Sequence, residues 1–181
     1  MKNFKTKIVN NKKLNVGCGK DIKEGYINMD FLRLPGVNVV HNLNKFPWPF
    51  KNNEFDEIYA SHILEHLDDL TKAMAEIRRV CKNKARIIVR VPHFSCGVSY
   101  RDPTHKRLFS YFTFDYFTEK CFYKLPRFKI KSRKLNFTRE AFVFLNRFLN
   151  PIININPEIY ERLFCWILPC AEVIAELEVV K

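Results

Sequence analysis

The chain has 181 residues, 31 of them basic and 19 acidic, for a formal net charge of +12; 47% are hydrophobic and 14% aromatic. This excludes wholesale disorder and suits one domain with a real core. The charge permits an anionic partner without requiring one. Six scattered cysteines without a CxxC pair argue against a zinc ribbon or disulfide framework and for reduced thiols in a cytoplasmic protein. The N-terminal stretch lacks an apolar signal core, and no window of about 18 apolar residues predicts a spanning helix.

Residues 1–12 are polar and basic, a flexible lead-in. Leu14–Val16 and Tyr26–Asp30 read as neighbouring parallel strands with the turn Gly17-Cys18-Gly19 between them. Glycines admit positive φ and close approach of a ligand to backbone, and ligands of open α/β sheets bind beyond the carboxyl ends of the strands. A carboxylate at the tip of the second strand, Asp30, can accept from both hydroxyls of a ribose. Only Lys20–Gly25 separates turn from strand, too few residues for a crossover helix. The first helix is therefore expected to be shortened or missing, with an extended link or a single turn in its place.

Val37–Val40 reads as a short third strand ending at His41-Asn42-Leu43, with His41 packing beside that loop. The Pro-punctuated aromatic stretch Phe46–Phe50 cannot be helix or central strand. Phe55–Ala60 is a fourth strand. Leu70, Ala73, Met74, Ile77 and Val80 recur at helical spacing within Asp68–Cys81, acidic at its start and basic at its end as the helix dipole favours. Ala85–Val91 follows as a strand, so strand, helix and strand form a βαβ unit of a parallel sheet. His93–Tyr111 is a long loop, Thr113–Lys120 a short helix, and Phe128–Phe137 a sixth strand. Phe142–Leu149 reads as amphipathic or buried, Pro157–Leu168 as a helix. Glu172–Val180 is the last strand, with Val173, Ala175, Leu177 and Val179 on one face.

Three constellations carry chemistry. The glycine turn with Asp30 suits a nucleoside. It fits NAD poorly, because the third glycine is absent and Asp30 follows Gly19 by only eleven residues. His62-Ile63-Leu64-Glu65-His66 matches the HxxEH zinc pattern, in which two imidazoles share a metal beside a general-base Glu65; Leu64 and Leu67 packing inward is the alternative. Asp102-Pro103-Thr104-His105-Lys106-Arg107 is either a surface turn or an acceptor site. In the second case His105 takes a proton, with His93 a weaker candidate, while Lys106 and Arg107 hold an anion.

Taken together, LNVGCGKD, GYINMD, NL, FDEIYASHILEHL, EIRRVCKNKARIIVRVP and DPTHKR, spread over Lys13–Arg107, resemble a small class I S-adenosylmethionine-dependent methyltransferase of the type 11 kind. The resemblance implies an α/β fold, a Rossmann-like, doubly wound, mostly parallel seven-stranded sheet whose last strand is antiparallel. It implies a cofactor-binding core at 13–91, an acceptor-side loop and C-terminal strands at 92–181, and S-adenosyl-L-methionine as cofactor. By the same resemblance Gly17, Cys18 and Gly19 pass the methionine portion, Asp30 holds the ribose, Asn42 and Leu43 border the adenine, and Ser61 and His62 lie near the sulfonium. The catalytic candidates are then His105, His62 and His93, the acceptor-binding ones Asp102, Lys106 and Arg107, and no metal is required.

Two departures stand out: Asn42 where the family often has Asp, and Lys82-Asn83-Lys84 where a Pro-Gly turn is usual. The expected reaction is displacement of the sulfonium methyl by an oxygen or nitrogen of a small-molecule or glycan acceptor, with Phe46–Phe50 and His93–Tyr111 closing over the site. Three rivals remain: an RNA methyltransferase using the basic 124–139 segment, a non-catalytic cofactor sensor or scaffold, and an HxxEH zinc hydrolase. Basic residues on an outer strand also discourage edge pairing, which is the simpler account of 124–139.

Overall fold

The computed structural model describes residues 11–181. The lead-in therefore lies almost wholly outside the described residues, although Lys12 is held: its N–H donates to the Asp56 carboxylate (3.0 Å) and its carbonyl accepts from Asp56 N–H (2.8 Å). The strands are β1 (Lys13–Val16), β2 (Ile27–Asp30), β3 (Val39–Val40), β4 (Phe55–Ser61), β5 (Cys81–Pro92), β6 (Phe128–Asn136) and β7 (Glu172–Val179). They form one sheet in the order β3-β2-β1-β4-β5-β7-β6, in which β7 alone runs antiparallel to its neighbours. The chain thus winds outward from β1 in both directions, as the resemblance implied.

The two faces of the sheet differ. Leu14, Val16, Met29, Ile58, Ala60, Ile87, Val89 and the inward row of β7 are all buried in one core. Helix α1 (Leu70–Val80) buries Leu70, Ala73, Met74, Ile77 and Val80 in it; Asp69 caps the helix by accepting from Lys72 N–H, and Arg78 and Arg79 close it. Right-handed crossovers place the β1–β2 and β2–β3 connections on the opposite face. Both connections lack a helix, so the missing first helix is borne out and a second is missing as well. In their place Asn15 and Asn28, only 2% and 3% exposed, hold the link: Asn15 Nδ2 donates to Asp21 O (2.7 Å) and to Asn28 Oδ1 (2.9 Å), and Lys23 N donates to Asn28 Oδ1 (3.0 Å). Farther along, that face carries ion pairs across strands, with Arg86 reaching Glu57 (3.3 Å) and Glu176 (2.8 Å). Parallel sheets ordinarily bury both faces in apolar contacts; here a polar lattice serves one of them.

The Phe46–Phe50 stretch, expected to close over the site, is instead fastened to α1. Trp48 is buried, its N–H donates to Glu76 Oε2 (2.6 Å), and Arg79 ties Glu76 to the carbonyls of Trp48 and Phe50. Trp48 fills core space in the β3–β4 crossover, where no helix is present. Between β6 and β7 the chain inserts α2 (Asn146–Ile153) and a short helix, Pro157–Ile159, which runs on into a wide π turn at Tyr160–Phe164. Sequence periodicity allowed this insertion to be buried; instead Phe142, Phe144, Phe148, Ile155, Trp166 and Ile167 are all more than 60% exposed. No described helix is long and apolar enough to cross a membrane, and all six cysteines are free.

Candidate active site

The carboxyl ends of β1, β2, β4 and β5 meet at one edge. Gly17 and Gly19 have φ of +62° and +49°, which explains why glycine stands at both. Cys18 N–H donates to Met29 O (3.1 Å), and Gly19 N–H donates to Asp30 Oδ2 (2.7 Å), tying the turn to the tip of β2. Asp30 Oδ1 accepts from Leu32 N–H (2.9 Å), so each oxygen of this buried carboxylate keeps a lone pair for a further donor. Space above Gly19 is open: a Cβ there meets nothing within 4 Å. At Gly17 a Cβ would meet Ile63 at 2.2 Å, so the loop after β4 sits directly on the turn.

Asn42 closes its own turn, accepting from Asn44 N–H (2.9 Å), and Leu43 is buried with its carbonyl on the Trp48 indole (3.2 Å). His41 Nε2 lies 2.9 Å from Lys45 O.

His62 has φ of +52°, a left-handed conformation uncommon outside glycine, and donates its N–H to Arg90 O (2.8 Å). Its ring lies between two fully buried carboxylates, with Nδ1 3.4 Å from Glu65 and Nε2 3.2 Å from Glu172. Burial pulls the imidazole pKa down, but the hydrogen bond to Glu172 and the charge of Glu65 beside Nδ1 outweigh it and raise the value. Glu172 is a hub for Arg90, Asn136 and His62; burial pushes its carboxyl up, yet these donors bring it down to about 2. Beside His62 a cavity of about 190 Å³ reaches the insertion, bounded by Pro92, Cys96, Arg139, Glu140 and Ala171. Sequence reasoning missed Glu172 and Arg90; their opposition across β5 and β7 appears only once the antiparallel register is known.

The three candidate histidines part company here. His93 has no exposed surface and both ring nitrogens are engaged, Nδ1 with Ser95 Oγ (2.7 Å) and Nε2 with Glu161 (3.1 Å). It joins β5 to the π turn and has no free nitrogen for an acceptor, which corrects its candidacy as a base. His62 has each ring nitrogen facing a buried carboxylate, so neither is turned toward an acceptor. His105 alone has a ring nitrogen, Nδ1, that is buried without a hydrogen-bond partner.

Of the expected acceptor-binding residues, Asp102 accepts from Thr104 N–H (2.8 Å) and Oγ1–H (2.6 Å), Lys106 pairs with Asp68, and Arg107 donates to the carbonyls of Leu67 and Asp68. Lys106 and Arg107 thus anchor the loop to the start of α1 rather than standing free for an anion. Glu65, His66 and His105 converge, each offering one ligand atom within 4.8 Å of the others. His62 stands outside that group, so the His62–His66 pair of the HxxEH reading does not assemble. In the basic segment, Phe128 faces the core while Lys129 and Lys131 face water. Arg133 pairs with Asp115 (3.0 Å), stacking on Tyr111, and Arg127 donates to loop carbonyls.

The comparisons agree with this geometry. Residues 17–89 match the model of a family described as a methyltransferase domain. An uncharacterised protein of Methanocaldococcus jannaschii is 35% identical over 89 residues, 43% of this chain and 39% of that protein, so the chain spans about two fifths of its relative. A solved S-adenosylmethionine-dependent methyltransferase from Archaeoglobus fulgidus superposes with a TM-score of 0.59 at 20% identity, over 93% of this chain and 86% of that one. An S-adenosylmethionine-dependent methyltransferase from Mesorhizobium loti gives 0.56 at 11%, over 92% and 90%, and the cyclase SpnF gives 0.60 at 15%, over 93% and 74%. By fold the chain is similar to these S-adenosylmethionine-dependent methyltransferases, whose cofactor is S-adenosylmethionine, and residues 17–89 carry the methyltransferase-domain match. The open space above Gly19 and the spare lone pairs of Asp30 fit that cofactor.

Proposed function

We propose that this chain binds S-adenosylmethionine at the Gly17–Gly19 turn and Asp30 and transfers its methyl group to an oxygen or nitrogen of an acceptor. The observation that carries this reading is the Gly19–Asp30 hydrogen bond, which sets a buried carboxylate with free lone pairs beside open space at a glycine. The cofactor brings an activated methyl on a sulfonium; the protein supplies alignment and exclusion of water. Asp30 accepts from the ribose hydroxyls. Ile63, seated on Gly17, fixes the floor of the pocket. His62 and Glu172 hold β4, β5 and β7 in register behind it. His105, the one candidate with an uncommitted ring nitrogen, stands on the acceptor side.

The acceptor we favour is a small molecule or glycan with an apolar portion. Supporting this, the cavity beside His62 borders the insertion, whose large apolar side chains are exposed, and the insertion also carries an apolar groove of about 610 Å³ lined by residues including Ile152, Ile159 and Phe164. An RNA acceptor has less support, since Arg127 and Arg133 are spent on the protein itself. SpnF, named for a cyclisation, keeps a role without methyl transfer in play on this fold.

Calorimetry with S-adenosylmethionine, its demethylated product and NAD tests the binding reading. The first two are expected to bind and NAD not to; binding by neither of the first two defeats it. Asp30→Ala is expected to weaken cofactor binding about 100-fold, because charge-assisted bonds to two hydroxyls are lost, and unchanged affinity would mean the pocket lies elsewhere. Incorporation of labelled methyl into a fraction of cell extract separates an enzyme from a sensor.

A further inference from the structure

We infer that Glu65, His66 and His105 form a binding site for one divalent transition-metal ion of the zinc type. Each residue has the free atom that such a site requires. Glu65 has no exposed surface, and neither of its carboxylate oxygens has a hydrogen-bond partner; the nearest cation, His62 Nδ1, stands 3.4 Å away. A carboxylate left this way is costly to bury. The His105 side chain is 5% exposed, and its Nδ1 is likewise buried without a partner.

The polar groups around the cluster favour one tautomer of each ring. Thr104 Oγ1 has one proton, which it donates to Asp102 Oδ1 (2.6 Å). Toward His66 Nδ1 (2.8 Å) it therefore accepts, so Nδ1 bears the proton and Nε2 of the neutral ring keeps its lone pair. His105 Nε2 faces Asp102 Oδ2 at 3.7 Å, too long for a hydrogen bond, and the nearby carboxylate charge favours the proton on Nε2 and the lone pair on Nδ1. Metal-binding histidines are ordinarily oriented this way, the outer nitrogen on a hydroxyl or carboxylate and the inner one on the ion.

The backbone supports the cluster from both sides. Glu65 and His66 lie in the 3-10 turn after β4, Lys106 N–H donates to Glu65 O (2.8 Å), and the rings of His66 and His105 lie 4.7 Å apart at 69°. Ligand atoms now within 4.8 Å would close to about 3.3 Å around an ion with bonds of about 2.0–2.1 Å. Two imidazoles and one carboxylate suit zinc and its neighbours rather than calcium or magnesium, which prefer all-oxygen shells. Three protein ligands also leave a tetrahedral ion one position for water or an acceptor oxygen. This differs from the HxxEH pairing, since His62 is committed to Glu172.

The test is metal binding by the full chain, which does not depend on methyl transfer. After chelator treatment and gel filtration, the chain is titrated with zinc, and with cobalt(II) for its visible tetrahedral absorption. One equivalent is expected, with affinity reduced at least 100-fold in His66→Asn, His105→Asn and Glu65→Gln, and about 10-fold in Asp102→Asn, as outer-shell losses usually run. His62→Asn is expected to retain the ion. The inference fails if the wild-type chain binds less than about a tenth of an equivalent, if the two histidine variants bind as wild type does, or if His62→Asn loses the ion as fully as His66→Asn. Circular dichroism monitors folding; should Glu65→Gln not fold, the two histidine variants decide.

Discussion

Glu172 has no exposed surface, yet it stays ionised because Arg90, Asn136 and His62 all donate to it. Its carboxyl lies at about 2, against 4.5 unperturbed, so the charge contributes roughly 3 kcal/mol, a contribution complete above pH 4.5 and lost as pH falls toward 2. His62 acts with the opposite sign. Its pKa is raised above 6.5, so its contribution is complete below that value and lost as pH rises through the folded-state pKa. Thermal unfolding against pH should therefore show greatest stability between about 4.5 and 6.5. Glu172→Gln should flatten the acid limb and His62→Gln the alkaline one. A profile unchanged in both variants would mean that the buried pair does not form.

At the scale of elements, the contact between the turn and the loop after β4 determines how tightly the pocket is built. Gly17→Ala places a Cβ 2.2–2.7 Å from Ile63 side-chain atoms and forces a residue with a Cβ to φ of +62°. It should cost about 2 kcal/mol or more in denaturant unfolding, the overpacking and the left-handed backbone adding together. Adding Ile63→Ala should relieve the clash but not the backbone term, so the double mutant should recover only part of the loss. Full recovery would refute the backbone share, and no recovery the packing share. Strand positions were legible because apolar residues alternate or run together in β1, β4, β5 and β7, and Asp30 with the glycines marked the pocket. Register was not: that Asn15 and Asn28 would pair and hold a helix-free link follows from β1 and β2 lying side by side, which no local pattern states. Likewise Trp48 in a Pro-rich loop gave no sign that Glu76 and Arg79 would clamp it into the core. The HxxEH spacing brought His66 and Glu65 to a common site, but the third member, His105, comes from a loop some forty residues on.

Across the whole molecule, the two unusual surfaces have different explanations. The polar face of the sheet satisfies itself, since Lys13, Arg86, Arg90 and Lys131 pair with Glu57, Glu172, Glu176 and Glu178, and so needs no covering layer. The insertion between β6 and β7 does not. Its apolar positions recur at helical spacing, which ordinarily signals a buried face, yet only some of them, such as Ile153 and Tyr160, reach the core. Exposed apolar area of this extent is uncommon on a folded chain, and the acceptor reading accounts for it. Ile155 and Ile167, 82% and 80% exposed, bury little and should contribute little to folding. Replacing both with serine should leave the melting temperature within about 2 °C, in line with other surface changes, and leave cofactor affinity unchanged. If the acceptor carries an apolar portion, KM for it should rise about 10-fold with kcat preserved, the signature of lost uniform binding. Unaltered KM would remove the insertion from acceptor recognition, whereas a lowered kcat at constant KM would place it at the transition state instead.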